Sequence, residues 1–481
     1  MKIIHITAEC YPVAKAGGLG DVAGALPKYL NKAGHTASVI LPHFHNKWLQ
    51  KAQTEMIFEG RAPFGHSSFA FRVSRLVKPG LGFELILIDI PGRFDRPGVY
   101  LDPWSGYPYC DEKERFFSFQ IAALEWIQQQ EDKPDVIHCH DHHTALVPFM
   151  MTQSYHFSSL KSLPTVLTIH NGEYQGRYDM ESAGLLPDFD PFYSGLLDWD
   201  GKLNSLASGI KTAWRVSTVS KGYLKELQDY CHGLEILLRK ESGKSTGILN
   251  GIDNEVWNPE TDEFLVENYS ITNFKSGKEK NKAYLCEQFG LKEDRPLFSF
   301  IGRLVREKGA DMIPDLIREC KYRKIEASFF VLGTGEPYLH SVFEGLQGEH
   351  TGYFDSRLEY NEQLAHRIYA GSDYLLMPSR VEPCGLNQLY SMRYGTIPLV
   401  RKTGGLADTV IDVSNEDGYG LVFNNFNLKE ALSAVERGVE LFNKKRLFDA
   451  TCKRIMTLDF SWEKAAKNYI NMYQSMKKGD K

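Results

Sequence analysis

A seven-residue segment recurs in near copy towards opposite ends of the chain: Lys15-Ala16-Gly17-Gly18-Leu19-Gly20-Asp21 and Lys402-Thr403-Gly404-Gly405-Leu406-Ala407-Asp408. Each copy lies between an apolar run and a helix-like stretch. Paired glycines let the backbone approach a ligand closely, and the open N–H groups of a helix start, with a lysine beside them, favour an anion. A Gly-Gly pair alone reads as an ordinary strand-to-helix turn. The shared Lys, Leu and Asp at matched offsets say more. Two such loops predict two similar domains facing one phosphorylated molecule.

Length agrees, because 481 residues exceed one comfortable core and suit two α/β domains. A net charge of −5 gives no bulk attraction to nucleic acid or to an anionic membrane, so local basic groups must do any anion binding. No apolar stretch reaches the ~18–20 residues of a bilayer span. The first residues, Met1-Lys2-Ile3-Ile4-His5-Ile6-Thr7, read as a strand rather than a leader. Eight cysteines without C-x-x-C spacing point to a reducing cytoplasm rather than a disulfide scaffold.

Short β-branched runs alternate with helical patterns throughout. Strands are expected at 2–8, 36–41, 84–90, 135–140, 165–170 and 215–219, then at 296–301, 327–332, 373–377, 397–400 and 420–423. Helices are expected at 21–32, 113–129, 362–370, 386–394 and 462–476. This alternation predicts parallel sheets covered on both faces, with ligands beyond the carboxyl ends of the strands. Polarity rises over 250–282, the expected connection between the halves.

In the second half, Gly302-Arg303-Leu304-Val305-Arg306-Glu307-Lys308-Gly309 follows a strand. An arginine fork and a lysine point charge suit a diphosphate, although a solvated basic turn has the same letters. Ser379-Arg380-Val381-Glu382-Pro383-Cys384-Gly385-Leu386 follows another strand and brings Glu382 to a helix start, where it either caps the helix or meets ligand hydroxyls. Cys384 has no neighbouring histidine and reads as packing. Gly333-Thr334-Gly335 lacks the third glycine of a dinucleotide fingerprint, since position 338 is Tyr; a phosphate contact there stays open, a nicotinamide cofactor is poorly supported.

In the first half, His138-Cys139-His140-Asp141-His142-His143 is the most metal-like run, with His138 and His140 on one face of a strand. No second clustered ligand set accompanies it, so these groups read as polar lining of a cleft. His170-Asn171-Gly172 also ends a strand and suits neutral hydroxyls, or a satisfied histidine at a sheet edge. Leu249-Asn250-Gly251-Ile252-Asp253 closes the half, and 188–190 and 198–200 read as loop acids rather than Mg²⁺ ligands.

Taken together, and in this order, segments 15–21, 138–143, 170–176, 249–253, 302–309, 379–386 and 402–408 resemble the bacterial glycogen synthase and plant starch synthase family over nearly the full length. The resemblance implies a GT-B fold, α/β, with two Rossmann-like domains facing each other across a deep interdomain cleft. It puts an acceptor-side domain at 1–255 and a nucleotide-sugar-binding domain at 256–459, with a helix at about 460–481 packing back on the first. The implied activity is retaining transfer of glucose from ADP-glucose to the non-reducing-end 4-hydroxyl of an α-1,4-glucan, with no metal and no cofactor.

Carried over by position, the resemblance gives Glu382, His170, Arg303 and Lys308 catalytic roles. Donor contacts fall to Lys15, Gly17, Gly18, Asn250, Arg303, Lys308, Cys384, Gly385, Leu386, Thr403 and Gly404, with Tyr360 stacking on the base. Asp141 and His142 take the acceptor side. His142 departs from the Trp of many bacterial relatives, Gly172-Glu173 from a Leu-Ala pair, and Gly20 from Ala, which bears on acceptor preference. The expected partners are a nucleotide sugar and a glucan, with neither nucleic acid nor membrane; oligomeric state has no sequence signal. Rival readings are a non-catalytic nucleotide-sugar or glucan sensor on the same fold, a retaining transferase using UDP-glucose or a small sugar acceptor, and an NAD-dependent dehydrogenase.

Overall fold

The computed structural model describes residues 1–77 and 80–476. The chain forms two compact units: Met1–Val219 and Leu224–Leu249 joined by the last helix from Trp462, and Ser220–Tyr223 with Asn250–Ser461. The second unit thus opens at Asn250 rather than after residue 255, and the helix Phe274–Phe289 begins within the last part of the expected connection.

The first unit is built on a nine-stranded sheet. Its parallel part runs Ser245–Gly247, Arg215–Thr218, Thr165–Ile169, Val136–His140, Lys2–Ile6, Thr36–Pro42 and Glu84–Asp89, in that spatial order. Val136–His140 and Thr165–Ile169 are buried at every position, as expected of central strands covered on both faces. Two longer strands, Ser67–Leu76 and Thr54–Phe64, extend the sheet antiparallel beyond Glu84–Asp89. They form a hairpin turning at Gly65, whose φ of 59° suits glycine.

Helix Gly18–Lys32 covers this sheet. Its buried residues Val22, Leu26, Tyr29 and Leu30 share one apolar cluster with Trp462, Ala465, Ala466, Tyr469 and Tyr473 of the last helix, Trp462–Ser475. The chain's end is therefore part of the first unit's core. Residues 477–481 of the expected 460–481 helix lie outside the described residues.

The second unit carries a six-stranded, wholly parallel sheet in the order Phe354–Arg357, Ser328–Leu332, Leu297–Ile301, Tyr374–Met377, Ile397–Arg401, Leu421–Phe423. Helices Ile313–Tyr322 and Leu428–Asn443 bury Leu316, Ile317, Leu432 and Val435 against Phe298, Phe329 and Leu399. Among the described residues no helix is long and apolar enough to cross a membrane.

Candidate active site

Strand order alone locates a crevice in each unit. In the second, the chain moves outward from Leu297–Ile301 to Ser328–Leu332 and Phe354–Arg357, then returns to the other side at Tyr374–Met377. Loops after neighbouring strands at such a reversal diverge, and ligands bind there in open parallel sheets. The two loops concerned are 302–309 and 378–386.

They carry the most strongly paired candidates. Lys308 Nζ donates to both oxygens of Glu382, at 2.8 and 2.9 Å, and Ser379 Oγ donates to the same carboxylate at 3.0 Å. Glu382 is buried. Gly309 makes this possible: its φ is 70°, and a Cβ there would lie 2.1 Å from the Pro378 carbonyl oxygen. An ammonium has three N–H donors; two reach Glu382, and Glu307 Oε1 lies 3.8 Å from the same nitrogen. Among the described residues the Arg303 side chain reaches Glu307 at 3.5 Å, and most of it is in solvent.

The second glycine loop closes on the same place. Gly405 N donates to the Glu382 carbonyl at 3.0 Å, and a Cβ on Gly405 would meet the Cys384 carbonyl oxygen at 2.0 Å. Thr403 is buried at the start of helix Gly404–Thr409, and Gly404 has a φ of 42°. Cys384 is buried and its thiol pushed up to about 12 by that burial, so it packs rather than attacks. Gly385 has a φ of 72°, and Leu386 precedes helix Asn387–Arg393. The Asn250 backbone hydrogen-bonds the Cys384 sulfur, and Asn250 Oδ1 is a buried acceptor with no protein partner. Tyr360 is 81% exposed, before helix Glu362–Gly371.

Gly333-Thr334-Gly335 packs closely on loop 302–309. Cβ atoms at Gly333 and Gly335 would lie 1.9 and 2.3 Å from the carbonyl oxygens of Gly302 and Leu304. These glycines let one loop's backbone lie on the other.

The first unit reverses in the same way between Lys2–Ile6 and Val136–His140. The loop after Lys2–Ile6 is organised by Glu9, a residue that sequence reading passed over. Its buried carboxylate accepts from Ala16 N at 2.6 Å, Gly17 N at 2.7 Å and the Tyr100 hydroxyl at 2.8 Å. The amides of Ala16 and Gly17 are therefore already used within the loop. Gly18 opens the helix with open space where a Cβ would stand, and Lys15 Nζ pairs with Asp21 at 2.6 Å. A Cβ on Gly20 would crowd Lys15 and Glu9.

Asp141 ends the neighbouring strand with φ 56° and ψ −175°, a region that side chains other than glycine rarely enter. Its Oδ1 accepts from His170 N at 2.7 Å, and burial raises the carboxyl to about 7. His142 is buried beside Glu112, 3.7 Å away, and His143 stacks on Tyr100. His170 is buried, just past strand Thr165–Ile169, and its Nε2 lies 3.0 Å from His140 Nδ1.

His138 and His140 do not line a crevice as sequence suggested. Both are fully buried inside the sheet. Metal-ligating atoms of His5, His138 and His140 lie within 4.8 Å of one another, as do those of Glu112, His142 and His143. In the first trio, both nitrogens of His138 and of His140 already sit in hydrogen bonds. Of the acids read as loop groups, Asp190 caps a turn by accepting from Phe192 N, and Asp198 lies on the short strand Asp198–Trp199.

Two Rossmann-like units in one chain, each with charged loops at its strand reversal, define the GT-B class of glycosyltransferases. Residues 2–240 match the family described as "Starch synthase catalytic domain", and 282–445 match "Glycosyl transferases group 1". The chain is 47% identical over 474 residues to a glycogen synthase of Flavobacterium johnsoniae, covering 98% of each. It is 38% identical over 491 residues to one of Streptococcus sanguinis, covering 99% of this chain and 100% of that one. A solved structure, the catalytic domain of starch synthase IV from Arabidopsis thaliana bound to ADP and acarbose, shares its fold at TM-score 0.86 and 32% identity, over 99% of both chains. The chain belongs to the glycogen and starch synthase family of glycosyltransferases.

Proposed function

We propose that the protein transfers glucose, with retention of configuration, from ADP-glucose to the non-reducing-end 4-hydroxyl of an α-1,4-glucan, in the cytoplasm. The observation that carries this is the Lys308–Glu382 pair at the strand reversal of the second unit. A partly exposed lysine held on a buried carboxylate at a strand reversal suits a ligand that has both a phosphate and hydroxyls.

In this reading Arg303 and the third N–H of Lys308 stabilise the charge that develops on the departing diphosphate. Glu382 orients Lys308 and lies against the donor glucose, with Asn250 and His170 contacting the same sugar. Thr403, Gly404, Gly385 and Leu386 line the phosphate side with backbone, Lys15, Gly17 and Gly18 also contact the donor, and Tyr360 stacks on the base. The acceptor hydroxyl attacks from the face the diphosphate leaves, and a phosphate oxygen takes its proton. Asp141 and His142 bind the acceptor glucan. Side-chain cations supply the neutralisation that a divalent metal gives in other transferases, so no metal is needed.

Radiolabelled glucose transfer to glycogen, with ADP-glucose beside UDP-glucose and with and without EDTA, tests the reading. ADP-glucose is expected to be the better donor and EDTA to leave the rate unchanged. Arg303→Ala is expected to lower turnover by about 100-fold or more. Binding of ADP-glucose without any transfer would instead make the protein a sensor.

A further inference from the structure

Four histidines meet inside the first unit's sheet: His5 on Lys2–Ile6, His138 and His140 on Val136–His140, and His170 at the end of Thr165–Ile169. His138 is closed off, with Nδ1 at 2.7 Å from the Tyr473 hydroxyl and Nε2 at 2.6 Å from Thr168 Oγ1. The other three form a line. His5 Nδ1 lies 3.0 Å from His140 Nε2, and His140 Nδ1 lies 3.0 Å from His170 Nε2. At the inner end, His5 Nε2 is buried without a partner. At the outer end, His170 Nε2 faces His140, and His170 Nδ1 has no hydrogen-bond partner among the described residues.

A neutral imidazole carries one N–H, so the two hydrogen bonds must run in the same direction. Burial keeps the three rings neutral, pushing His5 and His170 to about 3 and His140 well below its usual value. If the bonds run outward, His5 and His140 each donate from Nδ1, His170 accepts at Nε2, and its own proton sits on Nδ1. If they run inward, His170 Nδ1 is a bare acceptor and His5 Nε2–H is buried with nothing to receive it. A buried donor without an acceptor is rarer than an under-used acceptor, so the outward direction is favoured.

We propose that His5 and His140 are positioning residues that set His170 as its Nδ1–H tautomer, so that His170 donates a hydrogen bond to a neutral sugar oxygen. The tautomer follows from the line of rings; naming the recipient a sugar rests on the glucosyl-transfer reading. This gives His5, inside an apolar strand, a role that no motif assigns.

The test is long-range proton–nitrogen NMR on the full-length protein with ¹⁵N-labelled histidine, the His170 signals assigned by their loss in His170→Phe. The wild type is expected to show a protonated Nδ1 and a bare Nε2 on His170. His5→Phe keeps the ring volume but removes the inner donor, and is expected to move His170 towards the Nε2–H form. His5→Asn, whose amide nitrogen can stand where Nδ1 was, is expected to restore the wild-type pattern. Turnover should follow, falling about tenfold in His5→Phe and recovering in His5→Asn, the size expected for one lost hydrogen bond.

A wild-type His170 protonated on Nε2 would overturn the proposal, and that result needs no His5 variant to fold. So would a His170 tautomer unmoved by His5→Phe. The glucan-extension assay on the wild type stands apart. If it fails while the tautomer pattern holds, the glucosyl-transfer reading falls and the positioning role stands.

Discussion

Asp141 combines a strained backbone with a carboxyl that burial raises to about 7. The sign of the resulting pH dependence follows directly. An unfolded Asp titrates near 3.8, so the folded state holds its proton over a range where the unfolded state has lost it. Stability from the neutral carboxyl is complete below about pH 4 and is lost as pH rises through about 7. Asp141→Asn keeps an oxygen for the His170 amide and removes the ionisation. Thermal melts should show the variant more stable than wild type at pH 8, by as much as about 4 kcal/mol, with the gap closing towards pH 4. A gap that does not change with pH would remove this assignment. The Lys308–Glu382 pair gives a second prediction at this scale. Lys308→Met leaves a buried carboxylate uncompensated and should destabilise the second unit by about 2–4 kcal/mol in urea melts; adding Glu382→Gln should recover at least half. Residues of this kind were legible where a loop followed an apolar strand, as with Lys308, Glu382 and Asp141. Glu9 and His5 were not, because a lone acid in a loop or a lone histidine among isoleucines has no local pattern, and their roles appear only when strands distant in sequence become neighbours.

Among the elements, glycines do the joining. Gly309 fixes loop 302–309 on the Pro378 carbonyl, and Gly405 fixes the second glycine loop on Cys384. Gly309→Ala adds a clash to an unfavourable φ, and should destabilise the second unit by at least about 2 kcal/mol while displacing Lys308 and lowering turnover. Gly345→Ala is the control. It sits in helix Pro337–Glu349 with open space where a Cβ would stand, so it should stabilise by about 0.5–1 kcal/mol and leave turnover alone. Equal melting shifts for both would show that backbone approach is not what Gly309 provides. Most parallel strands were readable because burial on both faces demands near-continuous apolar runs, and every strand expected from sequence is present within two residues at its ends. The short edge strands Ser245–Gly247 and Phe354–Arg357, which are only partly buried, were not expected. The hairpin Thr54–Phe64 and Ser67–Leu76 was missed for the opposite reason. Much of it is exposed, including Met56 and Ile57, so neither alternation nor a solid apolar block marks it.

For the whole molecule, the main consequence is that the first unit needs residues from both ends of the chain. Trp462, Tyr469 and Tyr473 are buried against Val22, Leu26 and Tyr29, and Tyr473 also closes the Nδ1 side of His138. Amphipathic spacing revealed that helix but not which half it would cover, since a helix face states that it needs a partner and not which one. The energetic scale decides what its removal does. Burying a large aromatic is worth about 3–5 kcal/mol against truncation, and a domain's whole stability is about 5–15 kcal/mol. A chain ending at Ser461 therefore loses more than the first unit has to spare. Limited proteolysis should find that unit cleaved throughout, while the second unit, whose described core contains none of these residues, stays resistant and melts at its usual temperature. Tyr473→Phe separates packing from hydrogen bonding: it keeps the ring, leaves His138 Nδ1 without its partner, and should cost about 1–3 kcal/mol in the first transition alone. Should truncation lower both transitions equally, the last helix would be supporting the second unit too, and the division of the core between units would have to be redrawn.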